Sequence, residues 1–343
     1  MPTDVETVRC SVPEVAARAC SVPELGAEIS RWIRRVLPHD GYVIAGNDPL
    51  TGAGCFLFQE NGYSPESFRR TLLADVHGDD GHCFAGLTRR SLTVGVLGAG
   101  VPEGRWSREL KEIHASEGYG SELRAVLTCD GVVWGSMVLL RERGRPPFSP
   151  DEVVRAQALV APLGAAMKRF VRRVAPRPLR DAQPPGVVVV GGDDRIKAAT
   201  PGGRQWLRAC APDFEFSDAE LHVVTWNIAY IARRIEGPAL CRVPTARGWI
   251  AVQAERLDGG GPGDVVISVL PATGAVLVPA VAAWYGITPR ERAVLARALE
   301  GLPGKQIARR LGLSPYTVDD HLRAVYRKAG VSGREELLAV LAG

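Results

Sequence analysis

KQIARRLGLSPYTVDDHLRAVYRKAG, residues 305–330, is the stretch that decides the fold of this 343-residue chain. From Lys305 to Leu311, apolar side chains fall at Ile307, Ala308 and Leu311, the spacing of a short helix with one buried stripe. Gly312, Leu313 and Ser314 then make a tight turn. Glycine suits the position just past a helix end. Ser314 is a capping residue for the next helix, and Pro315 fits its first turn. That helix reads from Pro315 to about Ala329, where Gly330 stops it. At about 100° per residue, Val318, Leu322, Val325 and Ala329 share one face and are expected to be buried. Tyr316, Asp319, Asp320, Arg323, Ala324 and Arg327 take the opposite face. Two helices joined by a short turn containing glycine are a helix-turn-helix arrangement.

Working outward, Thr288, Pro289 and Glu291 signal a preceding helix to about Leu299, ended by Gly301. Arg334 to Leu341 reads as a fourth helix, presenting Leu337, Leu338 and Leu341. Charge follows the same partition. From Trp284 onward ten basic residues stand against six acidic ones, so this tail carries the whole formal charge of +4 and the first 283 residues sum to zero. A neutral body with a basic tail suits a polyanion at the tail.

The segments ITPRE (287–291), GLPGKQIA (301–308), LSPYTV (313–318), His321 with Leu322, AGVS (329–332) and REEL (334–337) resemble, in unbroken spacing, the C-terminal DNA-binding domain of the LuxR family. The resemblance implies an all-α, four-helix helix-turn-helix domain over 284–343, with its third helix in the major groove of double-stranded DNA. It implies that Asp319, Asp320 and Arg323 face bases. Lys305, Ser314, Tyr316, Thr317, Arg327 and Lys328 would then meet phosphates or sugar. Many family members carry a basic residue where this chain has Asp319. An acid there either accepts from a cytosine amine or pairs with Arg323 one turn on. Arginine paired to guanine is the commonest specific contact, which favours Arg323 for that role. His321 falls at the edge of the buried face, where packing or phosphate contact is expected over proton chemistry. The fourth helix either packs within its module or also forms a homodimer contact. A dimer would read half-sites roughly 34 Å apart.

Two further units are expected in front, making a multidomain chain. Over 1–175, two Ser-Val-Pro-Glu repeats, 11–14 and 21–24, each read as a helix start, the second helix running about 23–37. Strands over 42–45 and 55–59, and a helix from Ser64 to about Val76, follow. Few elements are expected over 78–104. Asp130-Gly131 between 123–129 and 132–140 is a strong hairpin signal, and Ser149 caps a closing helix to about Val174. Gly131, Gly135, Met137 and Leu139, followed by FSPDE (148–152), resemble the end of a GAF domain, an α+β sensor fold. After a linker containing Pro176, Pro178, Pro184 and Pro185, PGVVVV (185–190), DDRI (193–196), Ala198-Ala199 and strands near Trp249 and Val266 resemble a small α+β PAS domain over 184–272. Helices are expected near 203–210 and 221–234, strands over 241–244, 249–256 and 265–270, and a linker over 271–279. Both families bind a small molecule or a partner in a sheet-backed pocket, so a small-molecule effector is expected. Trp106, Tyr119, Trp134, Trp206 and Trp226 either line pockets or serve as plain core.

Catalytic signals fail on inspection, and neither a cofactor nor a metal is expected. Gly98 to Gly104 approximates a phosphate-binding glycine pattern, but Pro102 and Glu103 interrupt it. Ser91 and Ser136 lack the nucleophile elbow. His77 and His82 near Asp75, Asp79, Asp80 and Cys83 have metal-ligand types on a polar loop, where solvated side chains are the expected state. The seven cysteines are scattered, which favours free thiols over a disulfide framework, with a redox sensor as the other reading. No apolar run of about 18 residues and no signal-peptide pattern is present, so a cytoplasmic protein without a membrane span is expected. An enzyme or a protein-interaction scaffold carried to DNA by the tail is the competing account.

Overall fold

The computed structural model describes residues 5–19, 21–77, 84–98, 107–173, 184–210, 217, 221–245 and 248–341. The chain builds two antiparallel five-stranded sheets, one after the other, and then a run of helices.

The first sheet has β1 (Gly41–Asn47), β2 (Gly54–Glu60), β3 (Val94–Gly98), β4 (Tyr119–Cys129) and β5 (Val132–Glu142), in the order β2-β1-β5-β4-β3. Its central pair is the hairpin signalled by Asp130-Gly131. Both turn residues have positive φ, 53° and 74°, the backbone a two-residue turn of matching twist requires. Strand alternation splits the sheet's two faces. Leu123, Ala125, Leu127, Met137 and Leu139 pack beneath α6 (Pro150–Arg173), with α2 (Val22–Ile33) over β2 and α1 (Val5–Ala16) packed on α6 and α2. Val43, Val138 and Leu140 turn the other way, where Leu110 and Ile113 of α5 (Arg108–Glu117) meet them. Helices α3 (Pro65–His77) and α4 (Phe84–Arg89) complete that side. Ser149 and Glu152 cap α6 reciprocally, and the helix buries Ala156, Leu159, Leu163, Met167 and Phe170 along one stripe.

Three expectations give way here. The first Ser-Val-Pro-Glu repeat is no helix start: α1 begins earlier, at Val5, and runs through Pro13. Val8, Val12 and Ala16 form a buried stripe at helical spacing, and Ser11 donates to the Thr7 carbonyl instead of capping. The second repeat does cap, with Ser21 accepting from the Glu24 amide, although α2 ends at Ile33. The span 78–104 holds both α4 and β3.

The second sheet contains β6 (Gly186–Val190), β7 (Ile196–Ala199), β8 (Ala239–Thr245), β9 (Gly248–Arg256) and β10 (Val265–Pro271), ordered β7-β6-β10-β9-β8. Helices α7 (Pro201–Cys210) and α8 (His222–Ala232) pack on it. The expected linker over 271–279 is instead largely helix: α9 (Gly274–Trp284) contains Pro279. Its sequence is apolar nearly throughout, and Leu277, Ala280 and Trp284 are buried. Burial there outweighs the break that proline signals. Linker residues 174–183 and the His82–Cys83 cluster lie outside the described residues.

The two sheets are fastened to each other. Arg242 of β8 pairs with Asp48 of the β1–β2 loop at 2.7 Å, both side chains at most 4% exposed, and its Nε donates to the Val276 carbonyl in α9. Asn227 of α8 accepts from the Gly54 amide at 2.8 Å. Among the described residues, no helix is long and apolar enough to cross a membrane, and no cluster of His, Cys, Asp and Glu is set to hold a metal.

Candidate nucleic-acid interface

Four helices end the described chain: α10 (Pro289–Leu299), α11 (Gly304–Leu311), α12 (Pro315–Ala329) and α13 (Arg334–Leu341). Each start has a local cause. Thr288 Oγ1 accepts from the Glu291 amide, and Glu291 in return accepts from the Thr288 amide at 2.7 Å. Gly312, at φ 64°, ends α11 in the left-handed conformation and turns the chain into α12. Ser314 caps α12 by accepting from the Thr317 amide, and its hydroxyl also meets the Thr317 hydroxyl at 2.8 Å.

Behind α12 lies a small core of Val294, Ala298, Ile307, Ala308, Val318 and Leu322. Val325 is also fully buried, in the main core. The face assignment made from helical spacing is therefore the observed one for these positions. Opposite them, Tyr316 is 74% exposed, the most exposed large apolar side chain among those described. Asp319, Asp320, Arg323 and Arg327 are exposed, and Ala324 and His321 are half-buried. Asp319 and Arg323 pair at 2.7 Å across one helical turn. On α11, Lys305 and Arg309 are exposed.

Lys328 sits apart from that surface. Its ammonium is 2.6 Å from Glu291 and donates to the Gly286 carbonyl, tying the end of α12 to the start of α10. Burial pushes the Glu291 carboxyl up, but the Lys328 ammonium and the Thr288 donors outweigh it and hold it below the usual carboxylate range. Thr317 is half-buried behind the cap.

Arg172 anchors this module, and no local pattern singles it out. From the end of α6 it donates to the Lys328 carbonyl and stacks on Tyr285, whose hydroxyl donates to the Arg172 carbonyl. A cation at the C-terminus of α12 also suits the helix dipole. Contacts more than a hundred residues apart carry no local signal. Leu337 of α13 is buried in the main core, where α13 meets α9. The module is thus held from behind, and the face bearing Tyr316, Asp319 and Arg323 stays open.

The expected pocket aromatics take separate places. Trp134 is core, Trp206 donates to the Pro184 carbonyl, and Tyr119 donates to the Gly62 carbonyl. Trp226 lines a cavity, and Trp106 lies outside the described residues. Cys10, Cys55, Cys129, Cys210 and Cys241 are unbridged. Burial raises the Cys55 thiol well above its ordinary range, which keeps it protonated and unreactive.

Residues 286–341 match the family described as bacterial regulatory proteins, luxR family, so this segment is a luxR-family helix-turn-helix domain. Two curated relatives are HTH-type transcriptional regulators of Mycobacterium bovis and Mycobacterium tuberculosis. Each is 47% identical over 55 residues, 16% of this chain, and the chain spans 6% of their length. Among solved structures, Escherichia coli SdiA aligns over 98% of both chains at 13% identity and a TM-score of 0.39. A phycoerythrobilin-bound GAF domain of a cyanobacterial phytochrome covers 50% of this chain and 97% of its own, at 14% identity and a TM-score of 0.35. Similarity this loose assigns neither ligand nor function to the front of the chain.

Proposed function

We propose that this chain is a sequence-specific transcription regulator that acts in the cytoplasm and lays α12 in the major groove of double-stranded DNA. The observation that carries the proposal is the open face of α12, set on a helix capped at Ser314 and packed from behind. Asp319, Asp320 and Arg323 would face base edges there. Lys305, Ser314, Tyr316, Thr317 and Arg327 would meet phosphate or sugar, the contacts that set register, and Lys328 would join them only by giving up Glu291. A homodimer would place two such helices on half-sites roughly 34 Å apart.

The division into a GAF-like unit over 1–175, a PAS-like unit over 184–272 and the DNA-binding unit over 284–343 belongs to the same proposal. The front units would sense a small molecule. An apolar cavity between the two sheets favours that role over a scaffold that binds a partner protein.

Genome-wide footprinting of the wild type against Val318→Asp tests the DNA claim. Val318 is 1% exposed, so an acid there breaks the core behind α12. Protected promoters present in the wild type and absent in the variant are expected. A wild type that protects no sites would overturn the proposal.

A further inference from the structure

Helix α12 fixes where Asp319 and Arg323 leave the backbone. Ser314 caps the helix, and the residues just before each of the two, Val318 and Leu322, are buried. Four positions apart, the two side chains rise from one face, roughly 6 Å from each other along the axis. Their heads meet beyond it. Asp319 Oδ2 lies 2.7 Å from Arg323 Nη2, and the side chains are 56% and 70% exposed. A guanidinium carries donors only and an ionised carboxylate acceptors only. One N–H turned to Asp319 leaves the others for a base.

The pair therefore offers a polar array in a set order: two donors from Arg323, then an acceptor from Asp319. The major-groove edge of a G·C pair presents the complement. From guanine to cytosine it runs N7 acceptor, O6 acceptor and N4 donor. A C·G pair shows the same groups in reverse, and A·T and T·A place the amino donor between two acceptors. Any of these three sets the Asp319 carboxylate against an acceptor or strands an arginine donor. An exposed ion pair is weak, so the two groups turn from each other to the bases at small cost and remain neighbours there.

We propose that Asp319 and Arg323 act as one unit that reads a single G·C base pair in one orientation. Arg323 donates to guanine N7 and O6, and Asp319 accepts from the amino group of the paired cytosine. Asp319 is then a specificity-determining residue in its own right as well as a partner that orients the arginine. The proposal rests on the reading of α12 as the helix that enters the major groove, and it names the base pair taken there.

The test starts from duplexes selected by the purified full chain out of a random library. The pair whose identity ceases to matter in Arg323→Ala should be G·C. N4-methylcytosine is then placed in that pair. Its methyl group replaces the amino hydrogen that faces the groove and leaves the pairing with guanine in place. The wild type should bind the methylated duplex about tenfold more weakly than the unmodified one. Asp319→Ala should bind the unmodified duplex about tenfold more weakly than the wild type does, and it should be indifferent to the methyl group. Both substituted side chains are exposed, so the thermal melts of the variants should match the wild type. A dependent pair other than G·C, no pair that depends on Arg323, no methyl effect in the wild type, or an equal methyl effect in Asp319→Ala overturns the proposal and leaves DNA binding standing. A wild type that enriches no duplex overturns the regulator reading itself.

Discussion

Asp319 and Arg323 stand one turn apart on α12, and both are more than half exposed. An exposed pair at this spacing contributes about 0.3–0.5 kcal/mol, too little to hold the arginine away from DNA. The pair orients the guanidinium and releases it at small cost. Arg323→Ala is therefore expected to cost about 1–3 kcal/mol on a selected site and far less on unrelated duplex. Competition titrations read the difference, and equal losses on every sequence would contradict base reading. The pairing itself was legible as an i,i+4 spacing. The placement of Lys328 was not, because its partner Glu291 lies 37 positions away. The folded-state pKa of Glu291 is depressed, so its stabilisation is complete above the unfolded value and fades as pH falls through the folded one. Between pH 7 and 5 the melting temperature should not respond to this group. Below about pH 4.3 the wild type should lose stability faster than Glu291→Gln. Parallel melts of the two proteins would refute this if they declined together.

At the scale of elements, local chemistry was readable wherever it was not overruled by burial. The hairpin at Asp130-Gly131, the caps at Ser149, Thr288 and Ser314, and the turn at Gly312 all stand where their residues put them. The two identical repeats near the N-terminus show the limit. One caps a helix and the other lies inside one, because α1 packs on α6 and α2 with Val8, Val12 and Ala16 buried. Pro279 inside α9 has the same cause. The α3–α5–β4 junction depends on a buried network that no spacing announced. Glu122 accepts from Tyr63 at 2.6 Å, sits 2.7 Å from the His114 imidazole and takes the Arg124 Nε. Burial pushes its carboxyl up, yet Arg124 and the hydrogen bonds of His114 and Tyr63 win and hold it down at about 2. Removing the charge strands Arg124. Glu122→Gln is expected to destabilise the chain by about 3–5 kcal/mol. An unchanged denaturation midpoint would show that the network contributes nothing.

For the molecule as a whole, composition announced a neutral body and a basic tail, and length announced several units. It could not announce how they join. Arg242 gathers Asp48, β8 and the Val276 carbonyl of α9 into one buried junction. Arg242→Ala leaves Asp48 unpaired, and a loss of about 3–5 kcal/mol is expected. Calorimetry should then show the front of the chain melting in two steps; a single unshifted transition would deny the junction its role. On the proposed function, the open face of α12, on a module held by α6 and α9 from behind, is the surface that would read DNA. The decisive measurement is the affinity of the purified full chain for duplex DNA across a salt series. The logarithm of the binding constant should fall linearly with that of salt, with a slope near −0.9 for each phosphate neutralised. A chain that ignores duplex at about 50 mM salt, or binds it with no salt dependence, would contradict the account.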